Sequence, residues 1–261
     1  MLGKRYINDG RPLLALNSLQ VDMKRQVDQK VSQGIYKFES VPCCICGSEE
    51  FEPLSNKDRY GLYMPVVICR KCGLIQTNPR MNQQSYDSFY NCEYRRLYGD
   101  ESPGEELFLS QYSKGQRIYA YLKNKHVFTK PPSELLIFEV GCATGGILQY
   151  FRGRGCQVKG VDLDEECINF GRTRFDLDIS VGTIRDISFH KPPDIIIYAD
   201  VLEHILFPKE ELMHINRLLA QDGAVYIEIP GVKNLLDSWR DFLGLMQNAH
   251  TYHFTLTTLR N

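Results

Sequence analysis

The sequence predicts an α/β protein: a doubly wound parallel sheet preceded by a small N-terminal metal-binding module. Three observations lead there. From about residue 111, short apolar runs alternate with helix-period segments. A glycine-rich turn, Gly141-Cys142-Ala143-Thr144-Gly145-Gly146, joins the first of those runs to the helix after it. Five of the nine cysteines fall between residues 43 and 72. The 261 residues amount to about 1.7 domains at ~150 residues each, one full domain plus something smaller. Hydrophobic residues at 43% and charged residues at 24% supply a real core and exclude a wholly disordered chain. A net charge of −1 provides no global positive field, so nucleic acid is not an expected partner. No apolar run is long enough to span a membrane, and the N-terminus lacks a signal-peptide apolar region. A cytoplasmic protein is expected.

Residues 14–33 carry Leu16, Leu19, Met23, Val27 and Val31 at three- and four-residue spacing, the pattern of an amphipathic helix with Gly34 as its stop. Its apolar face docks on its own protein or on a second copy. Residues 41–80 hold the cysteine pairs and a strand-like Val66-Val67-Ile68; residues 81–110, rich in Tyr, Asn and charge, read as a connector or lid with a short helix. Ser102-Pro103-Gly104 marks a turn. The core, 111–261, then begins with a helix over 111–125. Strands follow at 135–140, 158–163, 179–182, 194–199 and 224–230, with helices near 145–152, 165–174, 209–220 and 235–245.

The cysteine pairs are Cys43-Cys44-Ile45-Cys46-Gly47 and Cys69-Arg70-Lys71-Cys72-Gly73. In a chain without an export signal this clustering argues for metal rather than disulfides. Zinc takes four thiolates at tetrahedral corners, each CxxC turn supplies two, and the glycine after each pair permits the tight turn. Cys43, Cys46, Cys69 and Cys72 are the expected Zn2+ ligands, in a closed and therefore structural site; buried free thiols or a redox pair are the alternative. Cys92, Cys142, Cys156 and Cys167 read as small apolar residues.

The glycine loop lacks the dinucleotide pattern. Ala143 stands where a second glycine is expected, and Glu139 precedes the loop, a carboxylate suited to a cationic ligand group and repulsive to a pyrophosphate. Asp162, 21 residues after Gly141, ends the second strand, where an acid can accept both hydroxyls of a ribose. Loop, strand and spaced acid together point to an adenosine-containing ligand. Ordinary turn glycines and a helix-capping Asp162 are the bland alternatives.

Over residues 135–230 the sequence resembles the class I S-adenosylmethionine-dependent methyltransferases, which have a Rossmann-like core. The likeness rests on Glu-Val-Gly-Cys-Ala-Thr-Gly (139–145), Gly-Val-Asp-Leu-Asp (160–164), Asp-Val-Leu-Glu-His (200–204) and Asp-Gly-Ala-Val-Tyr-Ile-Glu-Ile-Pro (222–230). It implies that Glu139, Gly141, Ala143 and Gly145 cradle the methionine part of S-adenosylmethionine and that Asp162 holds its ribose. It further implies that Thr183 and Ile184 lie along the adenine and that Asp200 borders methyl donor and substrate. Many members carry an acid at the position of Thr183.

A narrower resemblance, to sugar C-methyltransferases and related enzymes of polysaccharide and natural-product clusters, rests on three features. They are the paired CxxCG motifs with Leu74-Ile75-Gln76, the core after them, and Ile-Glu-Ile-Pro with His250-Thr251-Tyr252-His253-Phe254. It implies an N-terminal zinc domain and a histidine segment near the substrate, compressed here relative to the HxxxYF pattern, with Glu228 as a further site residue. Such families continue through two more core strands, so a shortened core or a fragment is expected, its fifth strand an edge that a partner copy or the N-terminal helix covers.

Methyl transfer is an in-line displacement that needs alignment, exclusion of water and a base for some acceptors. His250, His253, His204 and Tyr252 are the candidate bases; plain loop histidines bonded to backbone are the alternative for the imidazoles. Tyr90 and Tyr94 are candidates for a lid over the methyl donor, with an aromatic helix packed on the core as the alternative. Arg95 is a candidate for a carboxylate or phosphate contact, and Arg80, in the turn Asn78-Pro79-Arg80, for an anionic-substrate contact. The expected acceptor is a small molecule, a sugar nucleotide or glycan precursor. A zinc-containing RNA methyltransferase and a non-catalytic binding scaffold are the competing functions.

Overall fold

Asn17 decides where the first helix begins. In the computed structural model, which describes residues 1–98, 104–232 and 241–260, its side chain accepts from the Gln20 amide at 2.8 Å while Gln20 Oε1 accepts from the Asn17 amide at 3.1 Å. This reciprocal cap starts α1 (Ser18–Ser32) four residues later than the periodicity predicts, and Gly34, at a φ of 69°, ends it. Met23 and Val27 are buried, with Leu16, Leu19 and Val31 against the same cluster, so the apolar face of α1 docks on its own unit.

The chain packs as two units: one of Met1–Glu101, Glu203–Lys209 and Pro230–Asn261, the other of Ser102–Leu202 and Glu210–Ile229. Grouping by packing therefore differs from the grouping by sequence into 1–40, 41–80, 81–110 and 111–261. Residues 203–209 and 230–261 join the cysteine-bearing unit.

In the first unit β1 (Phe38–Glu39) pairs with β5 (Arg80–Met81), and β2 (Phe51–Lys57), β3 (Tyr63–Cys69) and β4 (Ile75–Thr77) form an antiparallel sheet. After β5 come α2 (Gln83–Phe89), a π-helical turn Tyr90–Tyr94 and α3 (Arg95–Tyr98). The π turn shifts the helical register, which explains why residues 81–110 show no period. Asp58 fastens this unit internally. Its carboxylate accepts from the amides of Tyr60 and Leu62 at 2.9 Å, from the amide of Asn248 at 3.2 Å and from the Tyr98 hydroxyl at 3.2 Å.

The second unit opens with α4 (Glu105–Asn124), six residues earlier than the predicted start. Then follow β6 (Leu136–Val140), α5 (Gly146–Gly153), β7 (Gln157–Asp162), α6 (Glu165–Phe175), β8 (Ile179–Val181), β9 (Ile195–Ala199), α7 (Pro208–Leu218) and β10 (Ala224–Glu228). All five strands are parallel, in the order β10-β9-β6-β7-β8. Central β6 is buried along its whole length, whereas every residue of edge strand β10 is half-buried, as expected of a sheet covered on both faces at its centre. Gly115 and Gly146 let α4 and α5 touch: a Cβ on Gly146 would sit 2.3 Å from the Phe108 carbonyl oxygen.

The chain then returns to the first unit with α8 (Phe242–Leu245), β11 (Tyr252–His253) and α9 (Leu256–Arg260). β11 pairs with β4, Tyr252 opposite Gln76, so the histidine segment completes the sheet of the cysteine module. Of the remaining predictions, the turn at Ser102-Pro103 and residues 235–240 of the helix expected over 235–245 lie outside the described residues. Among the described residues no helix is long and apolar enough to cross a membrane.

Burial raises the Asp58 carboxyl to about 6 despite its four hydrogen bonds. The folded state then binds more protons than the unfolded state between pH about 4 and about 6. Wild-type protein should lose up to about 3 kcal/mol relative to Asp58→Asn as pH rises through that window, measured by urea unfolding across a pH series.

Candidate functional site

In the second unit the carboxyl ends of β6, β7, β9 and β10 carry Glu139, Asp162, Asp200 and Glu228. Asp162 organises the loop after β6. Its Oδ2 accepts from the Ala143 amide at 2.8 Å and its Oδ1 from the Asp164 amide at 2.8 Å. Gly141 (φ 71°), Ala143 (φ 42°) and Gly145 (φ 76°) are all left-handed, which turns the loop sharply into α5. The space around the two glycines belongs to the protein: a Cβ on Gly141 would meet Val201 Cγ2 at 2.4 Å, and one on Gly145 would meet Leu177 Cδ1 at 2.6 Å. Their absent side chains are thus explained by left-handed backbone and by packing, before any ligand is considered.

Glu139 is 1% exposed, and its Oε2 has no hydrogen-bond partner among the described residues. Burial first, and the charge of Asp162 second, push its carboxyl well above the usual carboxylate range. A buried acid with an unpartnered oxygen beside a left-handed loop is suited to receive a cation.

The helix α4 holds this region from one face. Gln111 Nε2 donates to the Cys142 carbonyl at 3.2 Å, and its Oε1 accepts from the Thr144 hydroxyl at 2.5 Å. Three residues on, Lys114 Nζ ion-pairs with Asp200 and lies 3.4 Å from Glu228 Oε1. Glu228 also accepts from the Tyr226 hydroxyl at 2.7 Å. Asp200 is itself left-handed, at a φ of 58°. Neither Gln111 nor Lys114 belongs to a motif, and sequence reasoning passed over both.

The residues predicted to line an adenine are otherwise engaged. Ile184 is 1% exposed and packs in the core with Phe138, Val161 and Tyr198, so its side chain is not displayed to a ligand. The Thr183 hydroxyl donates to Asp186 Oδ2 at 2.8 Å, capping a short 3-10 turn. Leu163, next to Asp162, is an exposed apolar side chain at 56% exposure, as is Val181 at the end of β8.

In the first unit the sulfurs of Cys43, Cys46, Cys69 and Cys72 lie within 4.8 Å of one another, with Cys43–Cys72 at 3.4 Å and Cys46–Cys69 at 3.5 Å. A tetrahedral zinc with ~2.3 Å bonds separates its sulfurs by about 3.8 Å, so these four fit the ion. The two turns repeat each other: the Gly47 amide donates to the Cys43 carbonyl and the Gly73 amide to the Cys69 carbonyl, both at 2.9 Å, with left-handed glycines at φ 69° and 77°. Cys44 stands apart from the four, and burial pushes its thiol up to about 12. Cys142, Cys156 and Cys167 are buried as small apolar residues should be, but Cys92 is exposed, which corrects its reading as a small apolar residue.

His204, His250 and His253 come together in the same unit. The His204 and His250 rings meet edge to face at 4.7 Å between centroids, and His250 and His253 stand 5.9 Å apart. His204 Nδ1 shares a hydrogen bond with the Tyr90 hydroxyl and lies 3.0 Å from the Ala249 carbonyl oxygen. Those two groups set the orientation of the ring. Burial pushes His204 down to about 4 and His253 to about 3, and lowers His250 well below the usual imidazole range, so all three are neutral at neutral pH. Tyr90 and Tyr94 stack on each other at 4.3 Å and pack against His204 within this unit, the packed aromatic arrangement that was the alternative to a lid. Arg80 is 3% exposed, with Nε 3.0 Å from Glu39 Oε1 and Nη1 2.9 Å from the Tyr252 hydroxyl. Its charge is consumed structurally, which overturns the expected anionic-substrate contact.

Residues 113–261 match the sequence profile of the methyltransferase domain, more than half of the chain. The chain belongs to this family. No curated protein sequence matches it. Among solved structures it is similar to PKMT2 from Rickettsia typhi in complex with AdoHcy, at 22% identity and a TM-score of 0.33, covering 36% of this chain and 21% of that one. It is similar to DesVI of Streptomyces venezuelae at 18% identity and a TM-score of 0.38, covering 56% of each chain. A protein of Pyrococcus horikoshii OT3 is similar at 22% identity and a TM-score of 0.44, covering 57% of this chain and 70% of that one. The methyltransferase-domain chain thus spans about a fifth of the first of these and about half of the second.

The cysteine geometry generates a direct expectation. Protein purified without chelator should hold one zinc per chain by atomic absorption; Cys44→Ser should keep it, and Cys69→Ser should lose it. Structural zinc contributes on the order of 10 kcal/mol to small modules, so chelation should melt the first unit at a lower temperature.

Proposed function

We propose that this chain is an S-adenosylmethionine-dependent methyltransferase acting on a small-molecule acceptor, a sugar nucleotide or glycan precursor, with a structural zinc ion in the four-cysteine site. The observation that carries the cofactor reading is Glu139: a buried carboxyl with an unpartnered oxygen, one strand away from Asp162 and at the root of a left-handed loop. S-adenosylmethionine supplies an electrophilic methyl carbon and carries a cationic amino group that such an acid is suited to hold. Glu139 and the 141–145 loop would take its methionine part, and Asp162 its ribose. Ile184 and Thr183 would contribute backbone rather than side chains toward the adenine. Asp200 would border the donor.

Glu139 sits near a second acid and away from water, so it is protonated more readily than an ordinary carboxyl. A cation bound against it favours release of that proton. The acceptor preference rests on the sequence: paired CxxCG motifs, a methyltransferase core and a histidine segment in that order. His250 is the proposed general base, with His204 and His253 as its neighbours. His204 lies four residues after Asp200 in the chain.

Calorimetric titration with S-adenosylmethionine in two buffers of different ionisation enthalpy tests the cofactor assignment. The expected result is binding with net proton release, tightening as pH rises. In Glu139→Gln the proton release should vanish and affinity should fall by about tenfold or more. No heat with wild-type protein would sink the assignment. Once an acceptor is found by screening sugar nucleotides, His250→Ala should lower kcat by about a hundredfold while cofactor affinity stays within about twofold. Unchanged turnover would remove His250 from the mechanism.

A further inference from the structure

We infer that Lys114 is a positioning residue that sets how strongly the site distinguishes the sulfonium of S-adenosylmethionine from the uncharged thioether of S-adenosylhomocysteine. The inference rests on the cofactor reading above and goes further, assigning product discrimination to a residue outside every recognised motif.

Four carboxylates stand at the carboxyl ends of the strands: Glu139, Asp162, Asp200 and Glu228. Two cations ion-pair with this set among the described residues. Arg117 is 4.0 Å from Glu228, with two-thirds of its side chain exposed. Lys114 is only 21% exposed and bridges Asp200 and Glu228. Lys114 is thus a tethered, partly desolvated positive charge between two of these four acids.

Its position is fixed from both ends. On α4, Gln111 is bonded to the loop at Cys142 and Thr144, three residues before Lys114. On the other side, Val201 packs where Gly141 lacks a Cβ, and the Asp200 amide donates to the Glu228 carbonyl at 2.8 Å. The left-handed Asp200 is therefore held by its amide, by its neighbour's packing and by Lys114. Arrival of a second positive charge must work against the ammonium already there. A neutral thioether meets no such opposition. The two ligands share adenosine, amino and carboxylate groups and differ by a methyl and one charge, so their affinity ratio isolates this effect.

The test is calorimetric titration of wild-type, Lys114→Met and Lys114→Arg protein with each of the two ligands. Methionine keeps the apolar stem and removes the charge. In Lys114→Met the preference for S-adenosylmethionine over S-adenosylhomocysteine should rise by about fivefold or more, and in Lys114→Arg the ratio should stay within about twofold of wild type. Raising salt should shrink the difference between wild type and Lys114→Met. If Lys114→Met weakens both ligands equally, the residue is merely structural and the inference is overturned. If Lys114→Met does not fold, Lys114→Gln provides the same comparison. Wild-type protein that binds neither ligand would instead overturn the cofactor reading itself.

Discussion

The carboxylate of Asp162 is the joint on which the candidate cofactor site depends. One oxygen holds the amide of Ala143 and the other the amide of Asp164. Ala143 pays the cost of a left-handed conformation, roughly 1–2 kcal/mol for a residue with a Cβ. A hydrogen bond to a charged acceptor contributes about 1.5–3 kcal/mol, enough to offset it. Asp164, positioned by the same carboxylate, accepts from the Cys167 amide at 2.7 Å and starts α6. One side chain therefore sets the end of β7, the curvature of the loop after β6 and the entry to the next helix.

In the first unit the comparable constraint is the sheet that β2, β3, β4 and β11 share. Cys69 ends β3, and β4 follows directly after the second cysteine turn. β4 lies between β3 and β11, so the four-cysteine site and the histidine segment are braced by the same hydrogen-bonded strands. Arg80 and the Tyr252 hydroxyl add to this: Arg80 donates to Tyr252, which donates to the Leu206 carbonyl at 2.9 Å. A metal ion at the cysteines would stabilise the strand next to β11 without touching the imidazoles.

Much of this was legible in the sequence, for physical reasons that differ by element. The five strands of the parallel sheet were readable because buried strands are continuous apolar runs, and their ends agree to within a residue or two. The cysteine site was readable because ligand spacing and the trailing glycines are local. Asp162 was readable as the end of a strand because its distance from the glycine loop is set by one helix and one strand. By contrast, β11 is two residues long and takes its identity from pairing with β4, a contact that no local pattern encodes. Gln111 and Lys114 acquire their roles from the packing of α4 on α5, which turns on Gly115 and Gly146. Ile184 was expected beside a ligand, yet hydrophobic burial claims its side chain, and Arg80 likewise spends its charge inside the unit.

The central claim is that the loop after β6 and the end of β7 form the cofactor's seat. Amide hydrogen exchange with and without saturating S-adenosylhomocysteine tests it most directly. The account predicts slowed exchange in residues 139–146 and 162–164, with residues 43–73 unaltered. Protection confined to residues 43–73, or none at 139–146 and 162–164 under saturating ligand, would contradict it.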